Sequence, residues 1–196
     1  MQFHCYCDNE IEIKLKDEYL LDAATIDSIR SGDFQSVECD RCGKNLKPEL
    51  PVKFRTDNGR LVHFIPENER FTYEKQYSFG SDDYCVIGYP ELMEFISICE
   101  STLEKEAVEL VKLQIIQKVP DPSEIKIFFN EIIDANLVFH IHGLKQNEIG
   151  VIKIPAGVYA AVKKDISSLA SKEPYKSIIS KPYVSIRKHI EDEVSE

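Results

Sequence analysis

The sequence predicts an α+β protein, and three observations carry that prediction. Short stretches of alternating apolar and polar residues fill the first 66 positions. Two apolar stripes of helical period follow between Pro90 and Pro120, and strand-like alternation returns over 125–154. A length of 196 residues suits one large or two small domains. The Ser-, Gly- and Asp-containing stretch 78–88 is the expected boundary, giving a β-rich domain over 1–80 and a helical plus α/β domain over 81–196.

In the first domain, Ile11, Ile13 and Leu15 alternate with Glu12, Lys14 and Lys16, the pattern of a half-buried strand. Asp22 is placed to cap a short helix with Ala23, Ile26 and Ile29 on one side and Gly32 as its stop. Val52 and Phe54 form one arm of a hairpin and residues 61–65 the other, joined through Asp57-Asn58-Gly59 and ended by Pro66.

In the second domain, Pro90 suits the first turn of a helix whose stripe is Leu92, Phe95, Ile96 and Cys99. Ser101-Thr102-Leu103-Glu104 reads as a capping box opening a second helix, with Leu103, Ala107, Leu110, Val111 and Ile115 on a stripe broadened by Val108, Leu113 and Ile116. So wide a stripe implies burial on more than one side. Strands are expected over 125–129, 137–141 and 149–154, the first two flanking Asp134-Ala135-Asn136. Pro155 then starts a helix with Val158, Ala161 and Val162; residues 167–182, broken by two prolines, read as irregular, and 186–194 as a terminal helix.

The formal net charge of −10 opposes binding to nucleic acid through phosphate contacts. Charge is uneven: residues 150–190 carry eight Lys/Arg against two acids, and 191–196 are acidic, so the basic segment reads as a solvated surface or a docking patch for an acidic partner. No apolar run reaches a membrane span, and the start lacks the basic and apolar regions of a secretory signal, so a cytoplasmic location is expected. Phosphate-binding glycine loops, Gly-x-Ser-x-Gly and His-Glu-x-x-His are all missing, and there is no tryptophan.

Two close cysteine pairs carry the chemistry: Cys5-Tyr6-Cys7 and Cys39-Asp40-Arg41-Cys42-Gly43, with 31 residues between them. In a reducing compartment paired thiols serve more often as metal ligands than as disulfides, and four suit tetrahedral zinc. Cys39-x-x-Cys42-Gly43 has the form of a zinc knuckle, in which the glycine permits a tight turn. The first pair is tighter. Zinc–sulfur bonds of about 2.3 Å place two sulfurs roughly 3.7 Å apart, whereas i and i+2 side chains on a strand lie nearly a full repeat apart. Cys5 and Cys7 can chelate together only if the chain bends. Alternatively, His4-Cys5-Tyr6-Cys7 supplies a His-x-x-Cys pair, with His4 replacing Cys5. Four filled positions make a closed, structural site. The first domain is then zinc-ribbon-like with an inserted helix, followed by a helical hairpin and a small antiparallel sheet with a helix.

At these residues the chain resembles the CpXC domain family, bacterial and archaeal proteins named for a Cys-Pro-x-Cys type motif. The likeness rests on the N-terminal cysteine pair, the segment through Gly32-Asp33-Phe34, Cys39-x-x-Cys42-Gly43 and the strands ending at Phe64-Ile65-Pro66. It covers roughly residues 1–120, including the helical segment 90–112. It departs from the family at the first pair, which lacks the proline and is one residue tighter. The resemblance implies zinc at Cys5, Cys7, Cys39 and Cys42 and no established activity.

Elsewhere, His140 and His142 share one face of a predicted strand, a spacing able to hold a metal, but polar-out alternation explains them as well. Cys99 is expected in the core, and His63 on the solvent side of its hairpin. The function expected is a non-enzymatic binding or adaptor protein for another protein, with Asp40, Arg41 and Asn58 on its exposed turns as contacts. The alternative is a zinc-dependent hydrolase with an open metal position. Nucleic-acid binding ranks third.

Overall fold

The computed structural model describes residues 2–194, and of residues 191–194 only the backbone. It is a mixed α+β protein of several small sheets and helices. It divides into two compact units, Met1–Met93 and Glu94–Glu196.

The first unit begins with a hairpin of β1 (Gln2–His4) and β2 (Glu10–Glu12), in register Phe3 opposite Ile11 and His4 opposite Glu10. The strand ends at Glu12, so Ile13 and Leu15 lie beyond it. A short β3 (Glu18–Leu20) leads to α1 (Ala23–Ser31). Here the sequence signals act as expected. Asp22 accepts the Thr25 N–H at 2.9 Å, and Gly32 closes the helix with φ +86°, a left-handed conformation costly for other residues. A second hairpin, β4 (Val37–Glu38) and β5 (Asn45–Leu46), returns the chain toward the sheet. Gln35 anchors that return. Its side chain donates to the Leu50 carbonyl at 2.7 Å and accepts the Leu50 N–H at 3.0 Å.

The main sheet has the order β3-β6-β7-β8, with β6 (Val52–Arg55), β7 (Leu61–Ile65) and β8 (Tyr84–Ile87). The β6–β7 hairpin turns where Asn58-Gly59 signals it, and Thr56 N–H donates to the Arg60 carbonyl at 3.0 Å. β3 and β8 pair in parallel with its two strands. Phe54, Val62, Phe64 and Val86 are wholly buried, with Phe34 and Tyr19 stacked edge-on beside them. His63 is buried at 3% exposure rather than solvent-facing, because the segment ahead of β8 covers its ring with Phe79 and Asp83. Alternation reads a two-stranded hairpin correctly but cannot see a distant segment folding over one of its faces. A four-residue α2 (Tyr73–Gln76) precedes β8.

In the second unit lie most of α3 (Gly88–Glu100), then α4 (Lys105–Ile116). The second helix begins at Lys105, not at the Ser101 box. The 101–103 backbone N–H groups instead close the end of α3 by bonding back to Ser97, Cys99 and Ile98, and Thr102 takes φ +53°. Cys99 is exposed rather than in the core: the last buried residue of the helix is Ile98. The sheet has the order β11-β10-β9, built from β9 (Lys126–Ile133), β10 (Asn136–Lys145) and β11 (Glu148–Pro155). Asp134 and Ala135 turn β9 into β10 with φ of +50° and +59°. α5 (Ala156–Leu169) follows Pro155, and its last three residues fall in the stretch read as irregular. The short α6 (Tyr175–Ile179) occupies another part, because Ile178 is a fully buried anchor. α7 (Arg187–Val194) ends the described chain.

The broad stripe of α4 is buried on several sides, and ten of its twelve residues are buried, among them Lys105, Glu109 and Lys112. Lys112 Nζ lies 3.0 Å from both Glu94 carboxylate oxygens and 2.7 Å from Glu109, which also pairs with Lys105 at 3.2 Å. The two carboxylates satisfy backbone that strands and helices leave open. Glu94 accepts the Phe129 N–H at 2.7 Å beside the register shift of β9, and Glu109 accepts the Ile186 N–H at 2.9 Å ahead of α7. Removing one partner strands a buried charge. Lys112→Met is therefore expected to destabilise the protein by about 3–5 kcal/mol, measured by urea unfolding; a loss within experimental error would refute the assignment.

Candidate metal centre

Both cysteine pairs sit in the turns of short hairpins. Cys5 and Cys7 follow β1, and the bend that the tight spacing requires is present. Cys5 N–H donates to the Asn9 carbonyl and Asp8 N–H to the Cys5 carbonyl, each at 2.9 Å, while Asp8 adopts φ +61°. Aspartate tolerates this left-handed conformation better than most residues. The second pair lies in the turn between β4 and β5. Gly43 N–H donates to the Cys39 carbonyl at 2.8 Å, and Gly43 takes φ +68°, so the glycine is required at that place.

The two turns bring Cys5, Cys7, Cys39 and Cys42 together, with all four sulfurs within 4.8 Å of one another. Cys5 Sγ is 3.5 Å from Cys42 Sγ, and Cys7 Sγ is 3.7 Å from Cys39 Sγ. A tetrahedral ion with metal–sulfur bonds of about 2.3 Å needs sulfurs roughly 3.7 Å apart. The four cysteines are thus positioned to bind a metal ion. His4 is exposed on β1 and is not part of the group.

The electrostatics suit a cation. Burial pushes the Cys39 thiol up, but the N–H groups of Cys42 and Arg41 and the Cys42 and Cys5 thiols outweigh it and bring it down to about 6. Cys42 is lowered by the Lys44 N–H, yet partial burial and the Cys5, Cys7 and Cys39 sulfurs together push it up to about 12. One thiolate is favoured here and further ones repel it, the condition that a central cation relieves.

A ring of polar contacts ties the hairpins together. Asn9 Nδ2 donates to Cys39 Sγ at 3.7 Å and to Asp40 Oδ1 at 2.6 Å, and Arg41 Nη1 donates to the Cys7 carbonyl at 3.1 Å. Asp40 and Arg41 are exposed yet engaged in holding the opposite turn, and Asn58 is exposed on the β6–β7 turn, where its side chain accepts from Thr56 Oγ1 at 2.6 Å. Sequence reasoning missed Asn9. Its only signal is its place two residues after the first pair. The apolar support is slight: Cys5, Ile11 and Cys39 are the buried members, with Phe3, Val37 and Leu46 against them.

His140 and His142 lie on one face of β10, each half-buried, with Phe128 edge-on to His142. Leu137, Phe139 and Ile141 fill the opposite, core face. Among the described residues no further Cys, Asp or Glu joins the two histidines at ligand distance.

The CpXC protein family model matches residues 3–112, more than half of the chain, and the chain belongs to that family. A protein of Treponema pallidum (strain Nichols), itself described as uncharacterised, is 27% identical over 192 residues, covering 84% of this chain and 88% of its own. No solved structure matches. No helix among the described residues is long and apolar enough to cross a membrane.

Metal analysis of the reduced protein is expected to give one ion per chain, retained in His4→Ala and lost in Cys5→Ser. Asn9→Ala, which removes a partner of Cys39, is expected to weaken metal affinity by about tenfold or more, read by competition with a chromogenic chelator. Retention by Cys5→Ser together with loss in His4→Ala would assign the ligand set differently.

Proposed function

We propose that the chain is a zinc-binding, non-enzymatic adaptor acting in the cytoplasm, and that zinc joins its two cysteine hairpins into a zinc-ribbon-like module presented to another protein. The observation that carries this reading is the meeting of four sulfurs from two hairpin turns. All-sulfur tetrahedral donors suit zinc, and four protein ligands leave no position for water. A hydrolytic zinc needs such a position, so the closed donor set favours the binding role over the hydrolase alternative.

The surface around the site supports contact with a protein. Tyr6, between the first two cysteines, is 87% exposed, and Lys44 Nζ lies 5.7 Å from its ring centroid. Exposed tyrosines beside charged side chains are common anchors of protein interfaces. Asp40 and Arg41 are further contacts that serve the hairpins at the same time, and Asn58, exposed on the β6–β7 turn, is a separate one. The domain division at 80 belongs to the same proposal: the ion stabilises the N-terminal part, and the remainder folds on its own apolar core.

Two outcomes test the reading. Tyr6→Ala is expected to keep its zinc and its fold and to lose capture of a crosslinked partner by about tenfold; undiminished capture would remove Tyr6 from the interface. Chelation is expected to collapse amide protection in the first unit while sparing the second, because small zinc modules couple about 10 kcal/mol or more of apparent binding energy to folding. Unchanged protection in the first unit, with the ion demonstrably gone, would contradict a structural role.

A further inference from the structure

The buried His63 stands apart from the cysteine site and is not explained by it. Its Nε2 lies 2.9 Å from Asp83 Oδ2, and its ring packs against Phe79 with centroids 4.8 Å apart. Asp83 is itself fixed, because Oδ2 also accepts the Gly80 N–H at 2.8 Å. Burial lowers His63 below the usual imidazole value, outweighing the opposing pull of Asp83. Burial raises Asp83, but the Gly80 N–H and His63 more than compensate and hold it below its ordinary value. At neutral pH the pair is therefore a neutral imidazole facing a carboxylate. Nε2 carries the proton and donates it to Asp83, and Nδ1 keeps a lone pair.

That lone pair has an outlet. Among the described residues every fully buried side-chain nitrogen or oxygen has a hydrogen-bond partner. No such bond is made by Nδ1, which is therefore not fully buried, and His63 lines the adjoining cavity of about 310 Å³. The cavity falls at the small end of the range of about 300–1,000 Å³ for small-molecule sites.

Its lining is mixed. Lys53 is the cross-strand neighbour of His63 and shares its face of the sheet, and Asp17 stands at the same cavity. Among the described residues neither side chain is at ion-pair distance from an opposite charge, and Lys53 attracts Glu18 and Asp83 only from farther off. Pro51, Val52 and Ile65 supply apolar wall, and the Tyr77 hydroxyl is already committed to Glu69 at 2.6 Å. The open polar groups are thus one cation, one anion and one neutral acceptor. A simple anion would meet Lys53 but face Asp17 and find no donor in His63. A zwitterion satisfies all three.

We propose that this cavity binds a free α-amino acid with an apolar side chain. The ligand's ammonium group donates to His63 Nδ1 and to the Asp17 carboxylate, its carboxylate meets the Lys53 ammonium, and its side chain lies along Pro51, Val52 and Ile65. Asp83 acts as a positioning residue that holds the imidazole in the accepting tautomer.

The test is calorimetric titration of the full, metal-loaded chain with L-leucine, L-valine and L-phenylalanine, beside N-acetyl-L-leucine and L-leucinamide. In parallel, the imidazole nitrogen resonances of His63 are followed by NMR. One or more of the free amino acids is expected to bind at one per chain and to shift Nδ1. Blocking either the ammonium or the carboxylate is expected to weaken binding by about tenfold or more. Lys53→Met, at an exposed position, is expected to do the same without loss of fold. The proposal is overturned if ligands up to about 10 mM give neither heat nor a shift at His63. It is equally overturned if blocked ligands or the Lys53→Met protein bind undiminished.

Discussion

Four sulfurs within 4.8 Å are the contact at which the two cysteine hairpins of the first unit meet. The hairpins that carry them have strands of two or three residues, and only Cys5, Ile11 and Cys39 are buried in the cluster between them. Such hairpins are marginal alone, since isolated two-stranded ribbons are barely stable in water. The thiols add no stability by themselves, because ionising one disfavours ionising the next. A cation at the centre would reverse that sign: repulsion would become attraction, and the folding of two weak hairpins would be linked to binding one ion. Asn9, Asp40 and Arg41 tie the two turns to each other through the Asn9–Asp40 and Arg41–Cys7 hydrogen bonds.

The elements with local causes were legible in the sequence. Asp22 and Gly32 bound a helix because a cap and a left-handed stop are decided within a few residues. Asn58-Gly59 and Asp134-Ala135 turned their hairpins for the same reason. The cysteines of the candidate site were legible from type and spacing, and the apparent conflict at Cys5 and Cys7 was resolved by a bend through Asp8. What escaped is non-local. Neither the strand Tyr84–Ile87 nor Glu18–Leu20 alternates strongly, and each pairs with a hairpin distant in sequence. His63 changed from exposed to buried because the segment ahead of β8 covers its ring. The capping-box residues at 101–104 carried a true helix-end signal, but they close the preceding helix.

In the second unit a different solution meets a related problem. Glu94 and Glu109 are buried where they accept two backbone N–H groups, of Phe129 and Ile186. Each carboxylate answers one, and Lys105 and Lys112 answer the carboxylates. Burial raises Glu94, and the lysines do not bring it back; at Glu109 the lysines and the Ile186 N–H win, holding it below the ordinary value. Periodicity could show that α4 is buried all round, but not that charged residues would be among the buried ones. The two units thus specify their structures by polar contacts placed where apolar packing alone would leave register undecided.

X-ray absorption spectroscopy at the zinc edge of the zinc-loaded chain tests the central claim most directly. The account predicts four sulfur ligands at about 2.3 Å and no nitrogen or oxygen in the first coordination sphere. A light-atom ligand at about 2.0–2.1 Å with three or fewer sulfurs would contradict it, and would mean that a histidine or an open water position completes the site.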